Sequence, residues 1–266
     1  MEENVVRTDG FVTAIEFCPY ENATKLLAYS SADNLHICSV AFQHEDQSSH
    51  AEKQSVRATV THTENLLTYS QNDINCISWS PVSNMKYLPR CAKLALGLLD
   101  STISILTTDF KGETSLLVLK GHTNSVNAVA FEPLEGRVVA SVADDSTCKI
   151  WDADGGNIIH DIRLLCAGID VCWNKLQPGI FMVGELFGNL RFYDCTDEDE
   201  PPMPTQWLNC KRGGLTSADW CPLNPMKVGA SAGTEWVLWD ASKSSLPEDT
   251  RQSHVGGSVK YRWCRA

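Results

Sequence analysis

The chain is poor in positive charge. Lys and Arg number 22 against 33 Asp and Glu, giving a net charge of −11. A field of that sign repels nucleic acid and anionic membrane surfaces, which counts against either as a direct partner. No apolar run approaches the ~18 residues that a membrane-spanning helix needs. The stretch Met1 to Gly10 carries Glu2, Glu3 and Asp9 without an apolar core, so no secretory signal is expected. The 11 cysteines include no C-x-x-C pair and lie scattered from Cys18 to Cys264. That spacing supports neither a disulfide framework nor a zinc site; reduced thiols used as small buried hydrophobes are expected instead. His36-x-Cys38 offers two metal donors, but no second pair stands at ligand spacing. Phosphate-cradling glycine patterns are missing as well, since Gly155-Gly156 and Gly213-Gly214 read as turns. No metal and no cofactor are therefore expected.

What the sequence has is a repeat. One copy runs Gly121-His122, Val129-Ala130-Phe131-Glu132-Pro133, Val139-Ala140-Ser141, Asp144-Asp145-Ser146 and Lys149-Ile150-Trp151-Asp152. Alternation in Ser125 to Phe131 and in Thr147 to Trp151 has the period of two that strands require, and Asp144-Asp145-Ser146 between them reads as a hairpin turn. The first phrase recurs at Phe17, Trp79, Phe131, Trp173, Trp220 and Trp263, each two residues after a smaller or apolar side chain or a tyrosine. These aromatic marks are 62, 52, 42, 47 and 43 residues apart. The last three intervals match the ~40–45 residues of a four-stranded propeller blade. The longer two accommodate a polar insertion at Gln43 to Gln54 and an extended turn at Pro81 to Arg90. Second and third strands recur in step, turning at Asp33-Asn34, Asp100-Ser101, Gly188-Asn189 and Gly233-Thr234. Six of the eight tryptophans fall on a landmark of the repeat, which scattered core residues would not do.

The repeat resembles the WD40 repeat, with its GH opening and WD close. The fold expected is therefore all-β: a WD40 β-propeller with five complete blades, at about residues 8–65, 66–118, 119–163, 164–208 and 209–254. The first strand of a sixth is expected within 255–266. Small sheets cannot bury both faces alone, so such blades stack around an axis. An open ring is expected to leave apolar blade faces exposed.

His122, Ser141, Asp145 and Trp151 occupy positions that resemble the structural tetrad of a WD40 blade. The His–Asp pairing invites a reading as catalytic base and orienter. No nucleophile motif such as G-x-S-x-G accompanies it, which favours a buried, mutually satisfied network. The run Asp197-Glu198-Asp199-Glu200 next to Pro201-Pro202 reads as a solvated loop between blades rather than a binding patch.

Beyond the generic repeat, several atypical phrases recur in order along the chain. Leu119 to Thr123 with Ala140 to Trp151, Gly188 to Asp194, Lys227 to Asp240 and Ser244 to Pro247 are similar to the smallest WD-repeat nucleoporins of the Y-shaped outer-ring complex of the nuclear pore. The resemblance implies a non-enzymatic scaffold subunit docked on a large propeller–solenoid nucleoporin. It also implies a place at the nuclear envelope, and at kinetochores during mitosis in animals. Members of that family continue through further blades, so a shortened isoform or gene model is expected here. Two other readings compete: a peptide- or histone-reading propeller, and a substrate receptor of a cullin ubiquitin ligase. Such receptors commonly carry Trp-Asp-x-Arg, whereas this chain has Trp151-Asp152-Ala153-Asp154 and Trp239-Asp240-Ala241-Ser242. Contact residues for a partner do not emerge from sequence.

Overall fold

The computed structural model describes residues 8, 10–42, 60–197, 200–210, 214–252 and 255–263; the polar insertion at 43–54 lies outside them. The described residues form five four-stranded antiparallel sheets, each with its strands in chain order. The first sheet holds β1 (Val12–Phe17), β2 (Leu26–Ser31), β3 (Asn34–Phe42) and β4 (Val60–Ser70). The second holds β5 (Ile74–Trp79), β6 (Ala92–Leu98), β7 (Thr102–Thr108) and β8 (Thr114–Lys120). The third holds β9 (Val126–Phe131), β10 (Val138–Ala143), β11 (Thr147–Asp152) and β12 (Ile158–Arg163). The fourth holds β13 (Gly168–Trp173), β14 (Ile180–Glu185), β15 (Asn189–Asp194) and β16 (Pro204–Asn209). The fifth holds β17 (Leu215–Trp220), β18 (Lys227–Ala232), β19 (Glu235–Asp240) and β20 (Asp249–Gln252).

Turn chemistry sets each sheet. Every link from second to third strand contains a residue with positive φ: Ala32, Ser101, Ser146, Gly188 and Gly233. A left-handed residue there gives a tight hairpin the twist that matches its flanking strands. The longer turn at Pro81 to Arg90 is organised by Asn84, whose Oδ1 accepts the Lys86 and Tyr87 amides.

The first strands β1, β5, β9, β13 and β17 touch one another in chain order, so the blades stand side by side around an axis. Four apolar clusters fill the four joints between neighbouring blades. Each joint takes the aromatic that ends a first strand. Trp79, Phe131, Trp173 and Trp220 are 2, 4, 5 and 6% exposed. Two indoles add the same polar contact across the joint: Trp79 Nε1–H donates to Glu16 O at 3.0 Å, and Trp173 Nε1–H to Ala130 O at 3.0 Å. Phe17 holds the same register in β1, but among the described residues no blade stands before it, and it is 45% exposed with Ile15 beside it at 60%.

The sixth copy departs from the sequence reading. Tyr261-Arg262-Trp263 belongs to no sheet, because an inner strand pairs with the second strand of its own blade and no described residue takes that role. The acidic run also lies elsewhere than expected. It joins β15 to β16 inside the fourth blade rather than linking two blades, with Asp197 and Glu200 exposed and Glu198 and Asp199 outside the described residues.

Equivalent register with unequal burial gives a direct comparison. Trp79→Ala should cost about 3–5 kcal/mol, the usual loss for a buried aromatic. Phe17→Ala should cost less than about 1 kcal/mol, as at exposed sites. Urea unfolding of both variants checks this; equal losses would mean that the joints do not carry the stability.

Candidate functional site

The four residues of the third blade meet in one buried network. Gly121-His122 lies in the link from β8 to β9, Ser141 in the middle of β10, Asp145 in the turn that follows and Trp151 near the end of β11. The glycine is required because a Cβ at 121 would stand 2.9 Å from the Trp151 ring and 2.8 Å from Ile158. Trp151 Nε1–H donates to Ser141 Oγ at 2.8 Å. Ser141 Oγ lies 2.7 Å from His122 Nε2, and His122 Nδ1 lies 2.9 Å from Asp145 Oδ2. One proton arrangement satisfies every group: indole to hydroxyl, hydroxyl to Nε2, and Nδ1–H to the carboxylate. Asp145 Oδ2 also accepts the Thr123 amide, while Oδ1 accepts both the amide and the hydroxyl of Thr147.

Electrostatics agree with this arrangement. Burial lowers the His122 pKa from its ordinary 6.5, against the opposing pull of Asp145. Partial burial pushes Asp145 up, but the hydrogen bonds from Thr123, Thr147 and His122 leave it below the usual carboxylate range. Imidazole is thus held neutral beside a carboxylate, a pair that in other settings makes a base and its orienter. Here the His122 side chain is 0% exposed and both ring nitrogens are engaged. The hydroxyl beside it, Ser141, is also 0% exposed.

Two further buried charges escaped sequence reasoning. Glu185, at the end of β14 and 0% exposed, accepts the Leu165 amide at 3.0 Å and Asn189 Nδ2–H at 3.1 Å, and faces Arg191 Nε at 3.3 Å. It ties the link before the fourth blade to the turn inside that blade, the connection that His122 and Asp145 make in the third. The available signal was an acid closing a strand whose counterparts end in Leu98, Ala143 and Ala232. Asp170 in β13 is 4% exposed and accepts the Ser217 hydroxyl at 2.8 Å. Its signal was a carboxylate three residues before an aromatic mark, where other copies carry Ala14, Cys76, Ala128 and Ser217.

Residues one before each mark, including Glu16, Ser78, Ala130, Cys172 and Asp219, line a pocket at the axis. Cys76 and Cys172 near it have thiols pushed up to about 12, chiefly by burial, which keeps them protonated and unreactive. The ten described cysteines are all free. His36 stacks on Tyr29 at 4.9 Å. Among the described residues no group of three or more His, Cys, Asp or Glu could hold a metal ion. Where a Trp-Asp-x-Arg motif would put arginine stand Asp154 and Ser242, whose amides close turns on Asp152 and Asp240.

The model of the WD domain, G-beta repeat, matches residues 113–152, the segment that carries the four-residue network. Five antiparallel blades with that repeat make this a β-propeller of the WD40 class. The chain is 32% identical over 260 residues to "Nucleoporin Nup37" of Homo sapiens, covering 97% of this chain and 76% of the human protein. The Mus musculus protein of that name gives the same identity and coverage. The Drosophila melanogaster one is 30% identical over 192 residues, covering 69% of this chain and 56% of that protein. The chain belongs to the Nup37 family of nucleoporins.

Replacing Trp151 by Phe removes one donor and leaves the Ser141 hydroxyl short of a partner, at a cost of about 1–3 kcal/mol in unfolding free energy. The pH dependence has a definite sign. A histidine whose folded pKa is lowered contributes stability that is complete above its unfolded value of 6.5 and is lost as pH falls below it. His122→Asn should therefore be less stable at pH 7.5, with a shallower decline between pH 6.5 and 5 than the parent. Thermal melts across that range check it, and parallel declines would show that His122 does not titrate as described.

Proposed function

We propose that this chain is a non-enzymatic scaffold subunit of the nuclear pore complex. In this reading it is held in the Y-shaped outer-ring assembly by docking on a large propeller–solenoid nucleoporin. It resides at the nuclear envelope and, in dividing animal cells, at kinetochores. The observation that carries the reading is the identity with the Nup37 proteins over 97% of the chain, which spans all five blades rather than the generic repeat at 113–152 alone. The physical role is shape. Four packed joints make a stiff body whose loops and outer strands present a mosaic surface, and a stable contact would bury ~1,600 Å² or more. The His122–Asp145 pair serves as an internal brace in the third blade; its burial and full complement of partners support that role over a catalytic one. It has no cofactor to hold and makes no direct contact with nucleic acid or membrane.

The rival readings are an adaptor that recognises a histone or another peptide, and a cullin-ligase substrate receptor. Asp154 and Ser242 at the arginine positions weigh against the receptor. Affinity purification of the tagged chain from cells, followed by mass spectrometry, should recover outer-ring nucleoporins as the main partners. Tagged fluorescence should give a nuclear rim. Histones or a cullin adaptor as the dominant partners, with a diffuse nuclear signal, would overturn the proposal.

A further inference from the structure

Around the axis, three of the five first strands contribute an acid and none carries a cation; Lys175, just past β13, lines the same pocket. Glu16 on β1, Asp170 on β13 and Asp219 on β17 are the acidic first-strand residues nearest it, and Arg262 reaches the same axial pocket. Lys260 also comes from the unpaired segment that follows β20. Ser258 donates its amide to Gly233 O at 2.7 Å and its hydroxyl to the same oxygen at 2.9 Å. Beyond that point, sheet pairing gives the segment nothing. Lys260 Nζ and Arg262 Nη1 each stand 3.6 Å from Asp170 Oδ2. Arg262 Nη1–H also donates to Ser217 Oγ at 3.3 Å, and Ser217 in turn donates to Asp170. The Trp263 amide donates to Asp219 Oδ2 at 2.9 Å, and its indole to Asp219 O at 3.1 Å. That last bond repeats the one Trp79 makes to Glu16 and Trp173 makes to Ala130. Trp263 therefore takes the aromatic position of a sixth blade while its backbone pairs with no strand.

We infer that an ionic latch at the axis seats residues 258–263 in the inner-edge position beside the fifth blade: Asp170 and Asp219 capture Lys260, Arg262 and Trp263. The capture is reciprocal. Asp170 is 4% exposed, and a carboxylate at that depth is costly without a cation. Burial pushes its pKa up, and Lys260 and Arg262, together with the hydrogen bonds from the Ser217 hydroxyl and the Ala218 amide, hold it below the ordinary value. Asp170 lies two blades before the captured segment, so the fourth blade senses whether the sixth position is filled. Gly229 belongs to the same device, since any Cβ there would collide with the Tyr261 ring.

Hydrogen exchange read by mass spectrometry at residues 258–263, in the full chain, tests the latch. Asp170→Asn should accelerate exchange there about tenfold while β5 to β12 keep parental protection. Lys260→Gln with Arg262→Gln changes only the segment and should accelerate it to a similar degree. Because the groups act as one unit, combining all three substitutions should add little beyond either set. Parental exchange in Asp170→Asn, or fully multiplicative effects in the combination, would overturn the latch. So would acceleration in Asp170→Asn with no effect of the cation pair, since Asp170 would then matter only to its own blade.

Discussion

The constraint on which the structure rests is that a four-stranded sheet of short strands cannot cover its own two faces. Each blade therefore uses its neighbour as a second layer, and the aromatic that closes the first strand is buried in every joint. Trp79, Phe131, Trp173 and Trp220 are buried because a preceding blade covers them; Phe17, before which no blade stands among the described residues, is exposed. One chemical type at one register thus has two fates, decided by tertiary position alone. The indole bonds from Trp79 and Trp173 to the preceding first strand add direction to what apolar packing would leave free to slide.

Charged groups inside such a stack are costly unless partnered, and the blades meet that demand differently. The third uses a four-residue chain in which hydrogen bonds are donated in one sense from Trp151 to Asp145. The fourth uses Glu185, which draws two N–H donors and one guanidinium. Both connect the link that enters a blade with the turn inside it, so the entering strand and the hairpin move as one body. The axial carboxylate Asp170 extends the same logic between blades, through Ser217 to Arg262. Rigidity of this kind suits the scaffold role proposed for the chain.

Much of the fold was legible because propeller stability is built from local regularities. Period-two alternation, turn residues and the aromatic mark all repeat within windows of a few tens of residues, and the four members of the third-blade network sit within 30 residues of one another. The sixth copy was misread as a strand because its phrase, Tyr261-Arg262-Trp263, matches the others letter for type; strand pairing depends on a partner that the phrase does not contain. The acidic run was placed between blades because composition marks a loop without saying which two strands it joins. Asp170 went unnoticed for a further reason. Its partners Ser217, Lys260 and Arg262 lie 47 to 92 residues away in sequence, and only the closure of blades around an axis brings them together.

Indole proton exchange, followed by NMR, measures the joints most directly, because the chain contains its own control. Trp207, on the outer strand β16, is 65% exposed and should exchange its Nε1–H at nearly the rate of free tryptophan. The Nε1–H groups of Trp79 and Trp173, bonded across the joints, should exchange slower by several orders of magnitude, at rates set by opening of the blade stack. Exchange at Trp79 and Trp173 as fast as at Trp207 would show that neighbouring blades do not close on these side chains, and the account would fail.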